Sequence, residues 1–133
     1  MHIVTQLALF VANKPGTLAS VCKVLAQSNI NIYAISTSDT IDHSVVRLVV
    51  DDPKKAMKVF ENHGTLVVET DVLMIDGNNK PGSLQIIAEK LSAARINIEY
   101  AYLATSPDAK RGLLILRPSN TAKALKVLNT RGK

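Results

Sequence analysis

A single cysteine, Cys22, occurs in the 133 residues. An internal disulfide and any cysteine-rich zinc site are therefore excluded. Among apolar residues at helical spacing, Cys22 is expected as a small buried hydrophobe rather than a reactive thiol. Aromatic residues make up only 4% of the chain. Tyr33, Tyr100 and Tyr102 are too few to build the stacking platform on which single-stranded RNA is read. The net charge of +5 comes from scattered lysines and arginines, so it reads as solvated surface, and nucleic acid is disfavoured as a partner. No stretch approaches the roughly 20 apolar residues that cross a bilayer, so no membrane partner is expected. Met1 to Gln6 hold no basic region ahead of an apolar run, as a secretory or transit peptide would. A soluble, cytoplasmic chain is the expectation.

Catalytic chemistry is scarce as well. His2, His43 and His63 share no spacing with carboxylates that would hold a metal. Lys14 and Lys80 lie near glycines but without the G-x-x-x-x-G-K-[ST] phosphate cradle. Asp39, Asp42, His43 and Ser44 are neighbours in one hairpin, where they suit a polar turn and cannot all converge in triad geometry. The expectation is a protein with no catalytic residue, no metal and no cofactor.

What the chain does contain is an internal repeat. Asn13-Lys14-Pro15-Gly16-Thr17-Leu18 returns as Asn79-Lys80-Pro81-Gly82-Ser83-Leu84, an offset of 66 residues. Leu25 and Ile30-Asn31-Ile32 match Leu91 and Ile96-Asn97-Ile98 at the same offset. Further on the offset becomes 68, aligning Ala56-Met57-Lys58-Val59-Phe60 with Ala124-Leu125-Lys126-Val127-Leu128 and Gly64 with Gly132. The two added residues fall in a hairpin, Thr37 to Ser44 in the first copy and Leu103 to Gly112 in the second, where Ser106-Pro107-Asp108 supplies turn chemistry.

Each copy opens with an amphipathic helix. Leu18, Val21, Cys22 and Leu25 follow the i, i+3, i+4, i+7 spacing of one helix face, as do Leu84, Ile87, Ala88 and Leu91. Residues 30–37, 45–50, 96–103 and 113–117 are rich in β-branched or apolar residues and bounded by turn formers, as hairpin strands are. Asp52 followed by Pro53 predicts an N-cap and first-turn proline for a second helix ending at Gly64; Ser119 or Asn120 caps its twin. Strand, helix, two strands and helix per copy predict an α+β fold of ferredoxin-like βαββαβ type. Two tandem copies result, 1–66 and 67–133, with antiparallel sheets and helices on one face. Residues 65–76 read as one long strand shared between the copies. The second copy lacks a fourth strand of its own. By the 66-residue offset Met1 to Gln6 correspond to Val67 to Val72, so a strand near 1–6 is expected to complete it and leave no unpaired edge.

In both copies Asn-Lys-Pro-Gly leads from strand to helix. Gly16, Thr17 and Leu18, like Gly82, Ser83 and Leu84, then offer backbone N–H groups at a helix N-terminus, which attracts carboxylate or phosphate. Pro15 and Pro81 preset φ, and Asn13 and Asn79 can cap or donate. The same parts also make a plain turn. Asn31 and Asn97 each interrupt an apolar strand between isoleucines, and alternation turns them away from the core face.

A strand, then N-K-P-G-[TS]-L, a helix and I-N-I, present in both halves, resembles the ACT domain family. The resemblance implies a regulatory protein that holds a free amino acid or similar small metabolite in a groove between paired units. Carried over by position, Asn13, Lys14, Pro15, Gly16, Thr17 and Leu18 would hold the ligand with Asn97 of the opposite copy. Asn79, Lys80, Pro81, Gly82, Ser83 and Leu84 would do so with Asn31. The family's loop commonly carries an aspartate where this chain has Asn13 and Asn79. Upstream, Phe10-Val11-Ala12 makes one loop apolar, whereas Asp76-Gly77-Asn78 makes the other polar. Family members usually regulate catalytic domains, which implies a metabolic enzyme as partner; a homo-oligomer is compatible with the same picture. The alternative is a ligand-free interaction module or regulatory subunit.

Overall fold

The computed structural model describes residues 1–39 and 43–129. Asp42 of the first hairpin and Gly132, the expected counterpart of Gly64, lie outside the described residues. The elements run β1 (His2–Ala12), α1 (Thr17–Gln27), β2 (Ile32–Asp39), β3 (His43–Val50), α2 (Pro53–Asn62) and β4 (Leu66–Asn78). They continue with α3 (Ser83–Ala93), β5 (Ile98–Ala104), β6 (Arg111–Pro118) and α4 (Thr121–Asn129). Each half is ferredoxin-like α+β. Packing groups Thr5–Thr70 as one unit, and Met1–Val4 with the chain from Asp71 onward as the other. The cut at Thr70/Asp71 falls within β4, whose 13 residues are about twice an ordinary strand.

In the unit of Thr5–Thr70 the strand order is β2-β3-β1-β4. β3 pairs antiparallel with both β1 and β2, setting Leu7 opposite Leu48 and Thr37 opposite Val46. Alternation along the strands sends Leu7, Leu9, Val46, Leu48 and Val50 to the face covered by Val21 and Leu25 of α1 and Ala56 and Phe60 of α2; Val67 of β4 packs against this core. Asp52 caps α2 by accepting the Lys55 N–H at 3.1 Å, Pro53 takes the first turn, and Gly64 follows at a φ of 72°.

In the other unit the order is β5-β6-β4-β1. Leu73, Ile75, Leu114 and Leu116 face Leu91 of α3 and Ala124 and Leu128 of α4. The cap of α4 is Asn120, whose Oδ1 accepts the Lys123 N–H at 3.0 Å. Gln6 and Val49 in one unit, and Val72 and Ile115 in the other, are also fully buried although they belong to neither helix-side core. No buried side-chain N or O among the described residues lacks a hydrogen-bond partner.

Three expectations need correction. β2 and β5 begin at Ile32 and Ile98, two residues later than the apolar pattern indicates. Ile30 and Ile96 instead close the preceding helices, their N–H groups donating to Leu25 O and Leu91 O at 2.9 Å each. Asn31 and Asn97 therefore lie at the strand entries rather than inside the strands. Cys22 is exposed, not buried. The sheet takes the helix row through Val21 and Leu25 and leaves the adjacent row, Leu18, Cys22 and Ala26, on the outside. Apolar spacing alone admits either row, because they lie only one residue, about 100°, apart on the helix. Among the described residues no helix is long and apolar enough to cross a membrane.

Candidate functional site

The first strand-to-helix loop is shaped by Gly16, which sits at the N-cap of α1 with φ 88° and ψ −14°. A Cβ there would meet nothing within 4 Å, so the left-handed backbone, not lack of space, demands glycine. No side chain caps α1, and its first turn holds no acidic residue. The Thr17 N–H is already committed to Lys14 O at 3.3 Å. Leu18 and Ala19 thus carry the first-turn N–H groups that have no intrahelical acceptor, at an end whose positive potential no carboxylate of that turn offsets.

Beside this end lies a cavity of about 170 Å³. The loop contributes Ala12, Asn13 and Lys14, and the helix Thr17 and Leu18. Sheet register brings in the remainder: Ser44 stands opposite Val11 across β1 and β3, and Thr37 opposite Val46 across β2 and β3. Two hydroxyl-bearing residues, Thr37 and Ser44, therefore line the cavity beside the loop although nothing in the local motif announces them. Pro15 and Gly16 shape the turn without lining the cavity.

The second loop repeats the backbone and changes the chemistry. Gly82 caps α3 at φ 86°, and the Ser83 N–H donates to Lys80 O at 3.2 Å. Asn79 ties the loop to the longer hairpin. Its backbone N–H donates to Lys110 O at 2.9 Å, and its Nδ2 donates to Ala109 O at 2.7 Å and to Ser106 O at 3.4 Å. Arg111 grips the strand leading into the loop, with Nε 3.1 Å from Asp76 Oδ1 and Nη2 donating to Asp76 O at 2.6 Å. Phe10 and His43 occupy the corresponding positions of the first copy. Arg111 was not legible as a loop residue, because only the β4–β6 register sets it opposite Asn78.

Asn31 and Asn97 are held by matching clasps. The Asn31 N–H donates to Asp51 Oδ1 at 3.0 Å and its carbonyl accepts the Asp51 N–H at 3.1 Å. The Asn97 N–H donates to Ser119 Oγ at 3.0 Å and its carbonyl accepts the Ser119 N–H at 2.8 Å. Both asparagines are exposed and neither lines the cavity at the first loop. Asn97 instead borders a shallow depression with Ser92 and Arg95. Among the described residues no three His, Cys, Asp or Glu side chains are grouped as a metal set.

The family model described as "ACT domain pair" matches residues 1–131. A protein from Bacteroides thetaiotaomicron of known crystal structure is 36% identical with a TM-score of 0.89, over 95% of this chain and 86% of that one. The regulatory subunit of aspartate kinase from Thermus thermophilus, in its ligand-free form, has a TM-score of 0.71 at 18% identity, over 100% of this chain and 99% of that one. The same subunit from Thermus flavus has a TM-score of 0.63 at 20% identity, over 96% and 95%. At those identities the two subunits share the fold. No curated protein matches the chain.

Proposed function

The chain belongs to the ACT domain pair family, and on that premise we propose that it is a non-catalytic regulatory protein that binds a free amino acid or similarly small metabolite at its first strand-to-helix loop. The observation that carries this reading is the 170 Å³ cavity between that loop and the uncapped start of α1. A carboxylate suits the open N–H groups of Leu18 and Ala19, with Lys14 adding positive charge. The Thr37 and Ser44 hydroxyls are able to accept from an ammonium group, a task the family's usual loop aspartate would serve and Asn13 does less well. The cavity of about 170 Å³ is partly open to solvent, so the charged groups of an amino acid can lie in it while its side chain projects outward. The second loop, with Asn79 engaged by hairpin carbonyls and Asp76 paired with Arg111, is the weaker of the two sites in this reading.

The test is a thermal-shift screen of the full chain against the twenty amino acids at 10 mM. Affinities for so small a ligand fall between roughly micromolar and millimolar. At 100 times the dissociation constant, stabilisation is about 2.7 kcal/mol, a rise of roughly 8–12 °C in a chain of this size. The expected result is a selective rise that Thr37→Val and Ser44→Leu each reduce. If no amino acid raises the midpoint, the reading fails. Co-purification of a metabolic enzyme with the ligand-free chain would then support the interaction-module alternative.

A further inference from the structure

The duplication provides an internal control, because a residue the scaffold needs is expected in both copies. α1 and α3 end in the same motif. Asn29 and Arg95 follow the helices in the left-handed region at φ 57° and 58°. Their N–H groups donate to Ala26 O at 3.1 Å and Ser92 O at 2.9 Å, and the N–H groups of Ile30 and Ile96 donate to Leu25 O and Leu91 O. Glycine or asparagine suits that position, and asparagine fills it in the first copy. Arginine in the second copy fits the backbone less well, so a reason for it lies elsewhere.

Capping does not supply that reason. A cation near a helix C-terminus is ordinarily explained by the carbonyls there, yet Lys123 already takes the Ala94 carbonyl at 3.1 Å. Among the described residues Arg95 makes no side-chain hydrogen bond or ion pair. It borders a shallow depression of about 430 Å³ with Ser92, Asn97, Ala88, Ile96 and Ile98. The side chains of Ser92 and Asn97 are likewise without a hydrogen-bond partner among the described residues. In the first copy Ala26 and Asn29 stand where the second has Ser92 and Arg95. The charge and the hydroxyl are thus features of the second copy alone.

We propose that this depression binds the carboxylate or phosphate of a small molecule, with the Arg95 guanidinium as the anion clamp and Ser92 and Asn97 as further donors. A guanidinium meets either oxyanion with two parallel N–H groups, and Ala88 and Ile98 offer an apolar wall for a short hydrocarbon body. The site lies wholly within the second unit and does not rest on the first-loop reading.

The test is a ¹H–¹⁵N and methyl NMR titration of the full chain with sodium butyrate, with inorganic phosphate, and with choline chloride at matched ionic strength as control. Saturable shifts at Ser92, Arg95 and Asn97 in the millimolar range are expected. Ile98 methyl shifts with butyrate alone would identify a carboxylate with an apolar body, and backbone and side-chain shifts with phosphate alone would identify a phosphate ligand. Arg95→Asn, which installs the first copy's residue, is expected to weaken binding at least tenfold while raising the melting temperature by about 2–4 °C. The proposal is overturned if neither anion saturates beyond the choline control by 100 mM, if Arg95→Asn binds as the wild type does, or if that variant melts lower. Shifts confined to Gly16 and its neighbours would support the first-loop site and count against this one.

Discussion

Gly16 and Cys22 sit six residues apart and show what a sequence does and does not reveal about single positions. Pro-Gly ahead of an apolar period signals a turn into a helix, and the backbone at Gly16 has the positive φ such a turn uses. Cys22 carries no such signal. Its apolar spacing fits the buried row and the adjacent exposed row equally, and only the docking of α1 on its sheet leaves it in solvent. Its thiol is therefore expected to react fully with Ellman's reagent in the native protein, one equivalent per chain without denaturant. Protection until the chain is unfolded would contradict the exposure described above. Thr37 and Ser44 were hidden for a similar reason. Hydroxyl residues in a hairpin read as turn chemistry, and it is pairing with β3 and β1 that carries them to the cavity.

At the scale of elements, the start of the second helix of each copy was readable almost to the residue because its N-cap is local. Asp52 and Asn120 each accept the N–H three residues ahead, at 3.1 and 3.0 Å. Asp52→Ala and Asn120→Ala are each expected to cost about 1 kcal/mol in urea unfolding. Ser119→Ala should leave α4 intact and instead release the Asn97 N–H, which amide exchange would report. Equal loss of α4 protection in Ser119→Ala and Asn120→Ala would show that the cap had been misassigned. Strand starts were less readable because an apolar residue is equally at home closing a helix or opening a strand. Ile30 and Ile96 do the former. What decides between them is a bond from a residue twenty or more positions away, Asp51 or Ser119, that holds the asparagine next in line.

For the whole molecule, the repeat made the fold class legible, since two matching copies of strand, helix, two strands and helix leave few arrangements. Its arithmetic also sets Met1 to Gln6 against Val67 to Val72, and packing groups Met1–Val4 with the chain from Asp71 onward. Removing residues 1–4 should therefore weaken that unit selectively. Hydrogen exchange is expected to show faster exchange along β6 and β4 from Asp71 on, with β3 and α2 little changed. Unchanged protection of β6 would show that the four residues contribute nothing to the unit they join.

The split of β1 between two units also imposes a timetable. Residues 5–70 make up one packed unit, whereas Met1–Val4 are synthesised first and belong with a unit whose remainder begins only at Asp71. At about 5–20 residues per second, roughly 4–15 s separate the making of Val4 from that of Asn78, the end of the neighbouring β4. Throughout that interval the nascent chain carries a strand end whose neighbour β4 is still incomplete, the kind of edge on which neighbouring chains aggregate. Faster translation, or a chaperone that shields the first few residues, should accordingly raise the yield of folded protein, measured as the soluble fraction after expression.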